Sequence, residues 1–269
     1  MKKDNYSGIF NIHKPVGISP LDAINTLKEK YSELKNEKMT YAGRLDPMAE
    51  GALLILAGKA VYEKEKYLKL DKEYEGEILF GFETDTYDVL GLPKKSKHSV
   101  SIPRTVLEKT LEKFLGKNKM PLPPYSSYKI KGTPLFQWAR NGKLKEIKIP
   151  KKEIEIYEIK LLGTRKTNCK NMLSKIIKKI KTVRGDFRQK EILNRWGKIC
   201  PQNSDRQLAG TFENQEKYIV AKIKIACSSG TYIRSIAHQL GKELKIGATL
   251  LSLTRTKVGD FNIKNSLRM

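Results

Sequence analysis

The sequence has 269 residues, 53 Lys and Arg against 29 Asp and Glu, a net charge of +24 and 39% hydrophobic residues. A chain this long buries enough surface to need no disulfide or metal staple, and its apolar share is too high for a disordered segment. The balance argues against a secreted disulfide scaffold and a membrane channel, and the charge points to a polyanionic partner, nucleic acid or an anionic membrane surface.

In chain order, residues 8–12 read as a short strand, followed by a turn at Lys14-Pro15-Val16-Gly17-Ile18. Ser19-Pro20 is a helix start, with Leu21, Ile24, Leu27, Tyr31 and Leu34 at helical spacing. Residues 41–51 follow neither period and read as a loop shaped by Gly43, Pro47 and Gly51. The apolar run 52–57 after it reads as a buried strand. It is the longest apolar run, far short of the ~20 residues a bilayer requires, and the N-terminus carries no apolar targeting segment. Residues 74–82 alternate as a strand, residues 84–91 form a polar loop, and 103–115 place Val106, Leu107, Leu111, Phe114 and Leu115 on one helical face. Met120-Pro121-Leu122-Pro123-Pro124 suits neither a helix nor a central strand. A helix is expected at 134–141, strands at 146–149, 153–162 and 219–227, and a helix from Gly230 onward with Ile233, Ile236, Ala237, Leu240 and Leu244 inward; Ala248–Val258, Gly259 and a short tail end the chain. Irregular interspersion of strands and helices indicates an α+β fold with a mixed sheet.

Residues 164–217 stand apart. They hold 14 Lys and Arg against 5 Asp and Glu, a net +9. Met172, Leu173, Ile176, Ile177, Ile180 and Val183 form one helical face, and Phe187, Ile192, Leu193, Trp196 and Ile199 suggest a second helix, so the segment reads as a basic helical insertion.

Several chemistries are excluded. Gly51…Gly58-Lys59-Ala60 resembles a phosphate-binding loop only faintly, because the first glycine is too distant and Ala60 stands where a hydroxyl is needed. His13, His98 and His238 have no paired metal-ligand or triad spacing. Cys169, Cys200 and Cys227 are widely spaced and read as reduced thiols of a cytoplasmic protein; Cys227, ahead of a helix start, has no histidine near it to act as base. Asp46 remains. It lies before Pro47 in the glycine-bounded loop, where the backbone is driven to an extended form, and a carboxylate can act as a nucleophile without metal or cofactor.

Seven segments occur in order: Lys14-Pro15-Val16-Gly17; Gly43-Arg44-Leu45-Asp46-Pro47-Met48-Ala49-Glu50-Gly51; Lys72-Glu73-Tyr74; Gly81 with Thr84-Asp85-Thr86-Tyr87-Asp88; Pro123-Pro124-Tyr125-Ser126-Ser127-Tyr128-Lys129; Ala139-Arg140-Asn141-Gly142; and Cys227-Ser228-Ser229-Gly230-Thr231-Tyr232-Ile233-Arg234. Together they resemble the TruB family, the bacterial tRNA pseudouridine-55 synthases, over about residues 8–162 and 218–262. The resemblance implies a pseudouridine synthase fold: a mixed, mainly antiparallel sheet flanked by helices. It also implies isomerisation of uridine 55 in the T-loop of tRNA, with the uridine flipped out of its stack and no cofactor or metal. It assigns Asp46 as the catalytic carboxylate, Tyr74 as the ring that stacks on the base and serves in proton removal, and Arg234 as the partner of Asp46. Tyr232, Leu253, Tyr41, Lys14 and Lys129 become substrate-binding residues, the two lysines acting either structurally or on phosphates. A cytoplasmic monomer with tRNA as its partner is expected.

Three departures accompany the resemblance. Thr40-Tyr41 replaces the family's Gly-His; Tyr41 can stack but cannot carry that histidine's charge. The chain ends at Met269, which leaves one catalytic domain over 1–269 and no room for the family's C-terminal RNA-binding domain (PUA). The insertion 164–217 matches nothing in the family, and its lysines and arginines are expected to supply tRNA affinity through phosphates. Two other readings stay open: a non-catalytic RNA-binding or chaperone protein on the same fold, and a membrane-surface protein acting through the basic stretch 170–183.

Overall fold

The computed structural model describes residues 7–96, 101–200 and 217–269; His98 and residues 201–216 of the basic segment lie outside them. In chain order the strands are β1 (Gly8–Lys14), β2 (Met39–Ala42), β3 (Ala49–Ala57), β4 (Lys72–Phe80), β5 (Phe82–Thr84), β6 (Pro93–Lys95), β7 (Gly116–Pro121), β8 (Lys129–Ile130), β9 (Thr133–Pro134), β10 (Lys151–Thr167), β11 (Tyr218–Cys227), β12 (Ala248–Val258), β13 (Phe261–Asn262) and β14 (Leu267–Arg268). The helices are α1 (Pro20–Lys30), α2 (Lys64–Leu68), α3 (Arg104–Glu112), α4 (Leu135–Arg140), α5 (Cys169–Thr182), α6 (Gln189–Ile199) and α7 (Ile233–Glu243).

One ten-stranded sheet organises the molecule in the order β14-β1-β3-β12-β4-β11-β10-β7, with β2 added on β3 and β13 on β12. It is mixed: β12 runs parallel to β3 and β1 parallel to β14, and the remaining pairs are antiparallel. Alternation along the central strands sends side chains to two cores. From β4, Ile78 and Phe80 join α3 and α7 on one face, where Leu107, Leu111, Ile236 and Leu240 are buried. Leu79 and, from β11, Val220 point the other way, into a core formed with Met172, Leu173, Ile176, Ile180, Ile192 and Trp196 of α5 and α6. The insertion therefore covers apolar sheet surface that its absence would expose to water.

Local rules account for the element ends. Ser19 Oγ accepts from the Asp22 N–H at 3.1 Å, and Asp22 Oδ2 accepts from the Ser19 N–H at 2.7 Å, a reciprocal capping box with Pro20 in the first turn. Asn168 caps α5 through its side chain. At Gly51 (φ +118°) an added Cβ would come within 2.2 Å of the Arg255 carbonyl oxygen, so glycine permits the close parallel approach of β3 to β12.

Some boundaries differ from the sequence expectation. No strand forms over 146–149, where residues 144–146 make a 3-10 turn; Pro150, with no N–H, precedes β10, which then runs unbroken to Thr167. The insertion thus begins after 167, between the paired ends of β10 and β11 at Thr167 and Tyr218. The loop expected over 41–51 narrows to 43–48, because β2 and β3 claim its ends. Leu21, Val106 and Leu115 are exposed and do not belong to the inward faces assigned to them; Pro20 and Ala23 fill the core below the first turn of α1. Finally, Cys169 and Cys200 are joined by a disulfide between the start of α5 and the end of α6, with their Cα atoms 5.4 Å apart, and only Cys227 of the three is a free thiol. The packing of α5 against α6 brings together cysteines that look unrelated in sequence.

No helix among the described residues is long and apolar enough to cross a membrane.

Candidate active site

A cleft of about 610 Å³ opens where the 43–48 loop, β4, the 84–88 loop, residues 125–127, the start of α7 and β12 converge. Its walls are both apolar (Leu45, Tyr74, Leu90, Ile233, Leu253) and basic (Arg44, Lys69, Arg140, Lys152, Arg188).

Asp46 and Arg234 face each other at its floor. Arg234 Nε lies 3.0 Å from Asp46 Oδ2; the arginine side chain is 5% exposed and the carboxylate 31%. The Nε–H is not aligned on that oxygen as a hydrogen bond, so the contact is one of charges held close. The other guanidinium nitrogens fix its plane: Nη1 donates to the Thr86 carbonyl at 3.0 Å and Nη2 to the Tyr125 carbonyl at 3.1 Å. Burial disfavours the Arg234 charge, but Asp46 and then Asp88 more than offset it, and its pKa is raised. The result is a permanent cation under a reachable carboxylate.

Asp88 is the third member of this group. It is buried, and its Oδ1 accepts from Thr86 Oγ1 at 2.8 Å and from the Leu90 N–H at 3.0 Å. Desolvation lifts its carboxyl to about 6, against the opposing pull of Arg234. In the sequence Asp88 stands within a motif but carries no assigned role; a buried carboxylate facing a distant arginine leaves no local signal.

Tyr74 is 7% exposed on β4 and lines the cleft. Burial pushes its phenol up to about 12, so it is protonated at neutral pH and offers a ring face and an O–H. Leu253 of β12 and Tyr232 at the start of α7 complete the wall. Arg255, which no sequence motif singles out, is 1% exposed. Its Nε donates to the Ala52 carbonyl at 2.7 Å, Nη2 to Gly43 at 3.1 Å and Nη1 to Arg44 at 3.4 Å. It stands opposite Gly51 on one side and Tyr74 on the other, and so ties the Asp46 loop to the sheet.

The other residues expected to bind substrate fall elsewhere. Lys14 is fully buried; its Nζ donates to the Pro15 and Ile18 carbonyls at 2.8 and 2.9 Å, and burial lowers its pKa to about 8. With no exposure, its ammonium is held within the turn that follows β1. Lys129 is exposed on β8 and does not line the cleft. Tyr41 sits on β2 opposite Ile55, packed on the core under α1 with Lys64 over its ring at 5.6 Å, and is also absent from the lining. The strand that carries it turns its side chain towards α1. Lys72 is a buried cation of the lining instead, donating to the Leu68 carbonyl at 2.8 Å and to that of Leu70, with burial lowering its pKa to about 8.

No group of three or more His, Cys, Asp or Glu side chains is disposed to hold a metal ion among the described residues.

Residues 30–182 match the TruB family pseudouridylate synthase (N terminal domain). The tRNA pseudouridine synthase B of Fusobacterium nucleatum is 31% identical over 257 residues, covering 96% of this chain and 69% of that protein. The protein of the same name from Endomicrobium trichonymphae is 31% identical over 265 residues, 98% of this chain and 90% of that one. That of Francisella tularensis subsp. tularensis is 32% identical over 272 residues, 100% of this chain and 71% of that one. Among solved structures, a Cbf5-Nop10-Gar1 complex superimposes with a TM-score of 0.59 at 17% identity over 98% of this chain. An H/ACA RNP bound to a substrate RNA containing 2′-deoxyuridine does so with a TM-score of 0.55 at 17% identity over 97%. This chain spans about half the length of the chains in those structures, 53% and 50%, and at that identity the likeness is one of fold.

Proposed function

The chain belongs to the TruB family of pseudouridylate synthases, and on that premise we propose that its cleft isomerises uridine 55 in the T-loop of tRNA to pseudouridine. The observation that carries this reading is the Asp46–Arg234 pair: a partly exposed carboxylate, set 3.0 Å from a buried guanidinium, at the floor of a cleft with apolar walls and basic residues around them.

The chemistry follows from the two nucleobase connectivities. The C1′–N1 bond breaks, the uracil turns, and C1′–C5 forms while the C5 proton is lost and N1 gains one. Substrate and product are isomers, so no electrons or atoms are exchanged with a second reactant. Asp46 acts as the nucleophile that holds the reacting nucleotide while the base turns. Arg234, its plane fixed by the Thr86 and Tyr125 carbonyls, keeps that carboxylate aimed. Tyr74, with its phenol protonated, stacks on the uracil, and Leu253 and Tyr232 close the pocket around it; stacking of this kind contributes about 1–3 kcal/mol per base. The cleft volume of about 610 Å³ accommodates a flipped nucleotide, while Arg44, Lys69 and Lys152 meet phosphates, which position the RNA without reading its sequence.

Unmodified tRNA incubated with the wild-type chain gains pseudouridine at position 55, mapped by base-specific chemistry. With Asp46→Asn, formation falls by at least about 10³-fold, while tRNA binding by filter retention stays near wild type. Equal product from Asp46→Asn removes Asp46 as the nucleophile; product at another position removes the assigned target.

A further inference from the structure

We propose that Arg188, carried by the inserted α5–α6 hairpin, is a positioning residue for the Asp46–Arg234 pair; this rests on the proposed reaction at that pair. The two carbonyls that fix the Arg234 guanidinium belong to Thr86 and Tyr125. Arg188 grips the segments that bear both. Its Nη2 donates to Asp85 Oδ2 at 2.9 Å, next to Thr86 in the chain, and its guanidinium carbon stands 4.7 Å from the Tyr125 ring centroid. The far oxygen of the same carboxylate, Asp85 Oδ1, accepts from the Leu92 N–H at 2.7 Å, so the 84–92 loop is held from both sides.

The connector is constructed to present that side chain. Arg188 adopts the left-handed conformation (φ 61°), which non-glycine residues rarely take. Its N–H donates to Asp186 Oδ1 at 3.1 Å, and Gln189 closes the turn, accepting from the Phe187 N–H at 2.9 Å and donating to the Val183 and Gly185 carbonyls at 3.1 and 2.6 Å. The same connector reaches the opposite partner. The Arg184 N–H donates to the Gly17 carbonyl at 2.7 Å, and the Gly17 N–H donates to the carbonyl of Pro47, which follows Asp46, at 2.8 Å. At Gly17 an added Cβ would approach the Thr182 carbonyl oxygen to 2.3 Å, so only glycine allows the hairpin to seat this closely. Residues 184–188 thus brace both the arginine and the aspartate sides of the pair.

The test measures single-turnover pseudouridine formation with enzyme in excess over a tRNA T-arm RNA. For Arg188→Ala the saturating rate falls about 10- to 100-fold, the effect of a small misplacement of reacting groups, while the half-saturating enzyme concentration stays within about twofold. Arg188→Lys, which keeps a cation for Asp85 but not the planar stack, restores part of the rate. Asp85→Asn falls by a similar factor, and the double variant Arg188→Ala/Asp85→Asn falls no further than either single one, as expected of residues acting through one contact. Lys109→Ala, exposed on α3 and away from the cleft, keeps the wild-type rate. An Arg188→Ala saturating rate equal to wild type overturns the proposal, as does a loss confined to the half-saturating concentration or additive losses in the double variant. If Arg188→Ala does not fold, Arg188→Lys and Asp85→Asn decide it on the same terms. A wild-type chain that forms no pseudouridine instead defeats the reaction assigned above. The positioning role is then read from the Arg234 Nε–Hε NMR signal, which shifts in Arg188→Ala and not in Lys109→Ala; an unmoved signal overturns it.

Discussion

Around the cleft, Arg234 and Arg255 are 4% and 1% exposed; they donate to five backbone carbonyls, and Arg234 stands against one carboxylate. On the inserted hairpin, Lys170, Lys175, Lys178 and Lys181 stand exposed while Met172, Leu173, Ile176, Ile180 and Trp196 are buried beneath them. Both regions are basic, yet the charge does different work in each. In the cleft a few desolvated cations are fixed in place by backbone carbonyls and by the carboxylate beside them. On the hairpin many solvated ones set a field that salt screens. Net charge is a statement about the second kind only.

The contrast can be broken at its packing. Trp196 is fully buried and its Nε1 donates to the Val89 carbonyl at 3.3 Å. Trp196→Ala is expected to lower unfolding stability by about 3–5 kcal/mol, read by urea denaturation; a loosely attached hairpin would leave the midpoint where it is. A second test sharpens the cleft side. Burial raises the Asp88 carboxyl to about 6, so its protonated form contributes stability that is complete below the unfolded carboxylate pKa of about 3.9 and is lost as the pH rises through about 6. The stability of wild type relative to Asp88→Asn therefore declines from pH 4 to pH 7; a constant difference across that range would show that Asp88 is not the buried titrating group. The smallest effect is on the hairpin surface. Replacing Lys170, Lys175 and Lys178 together by Gln is expected to weaken tRNA binding severalfold and to make the slope of log Kd against log salt shallower by up to about 3, one for each phosphate no longer neutralised. An unchanged slope would remove the hairpin lysines from the RNA interface and leave the hairpin its packing and bracing roles.

Much of the architecture is legible residue by residue. The capping box at Ser19 and Asp22, the helical spacing of Ile233, Ile236, Ala237 and Leu240, and the alternation of Tyr74–Phe80 and Ile219–Cys227 reflect local energetics, and the corresponding elements occur at those places. The order of seven motifs points to the family, and Asp46, Tyr74, Tyr232, Arg234 and Leu253 do line one cleft. Tyr41, Lys14 and Lys129 lie outside that lining: position in a motif names them, but which way a strand residue faces and how deeply a lysine is buried depend on the neighbours in the sheet.

The sequence by itself determined the α+β class and the family, and it pointed to a polyanionic partner and singled out the carboxylate at position 46, because composition, periodicity and motif order are carried by short stretches of chain. Only the tertiary structure decided that Arg255 would hold the Asp46 loop from a strand 212 residues away, that Asp88 would share Arg234, that Cys169 would meet Cys200, and that a basic insertion would place Arg188 beside Tyr125. Those contacts join side chains remote in sequence. Their formation depends on strand order and on which sheet face is left uncovered, and no local pattern of residues encodes either.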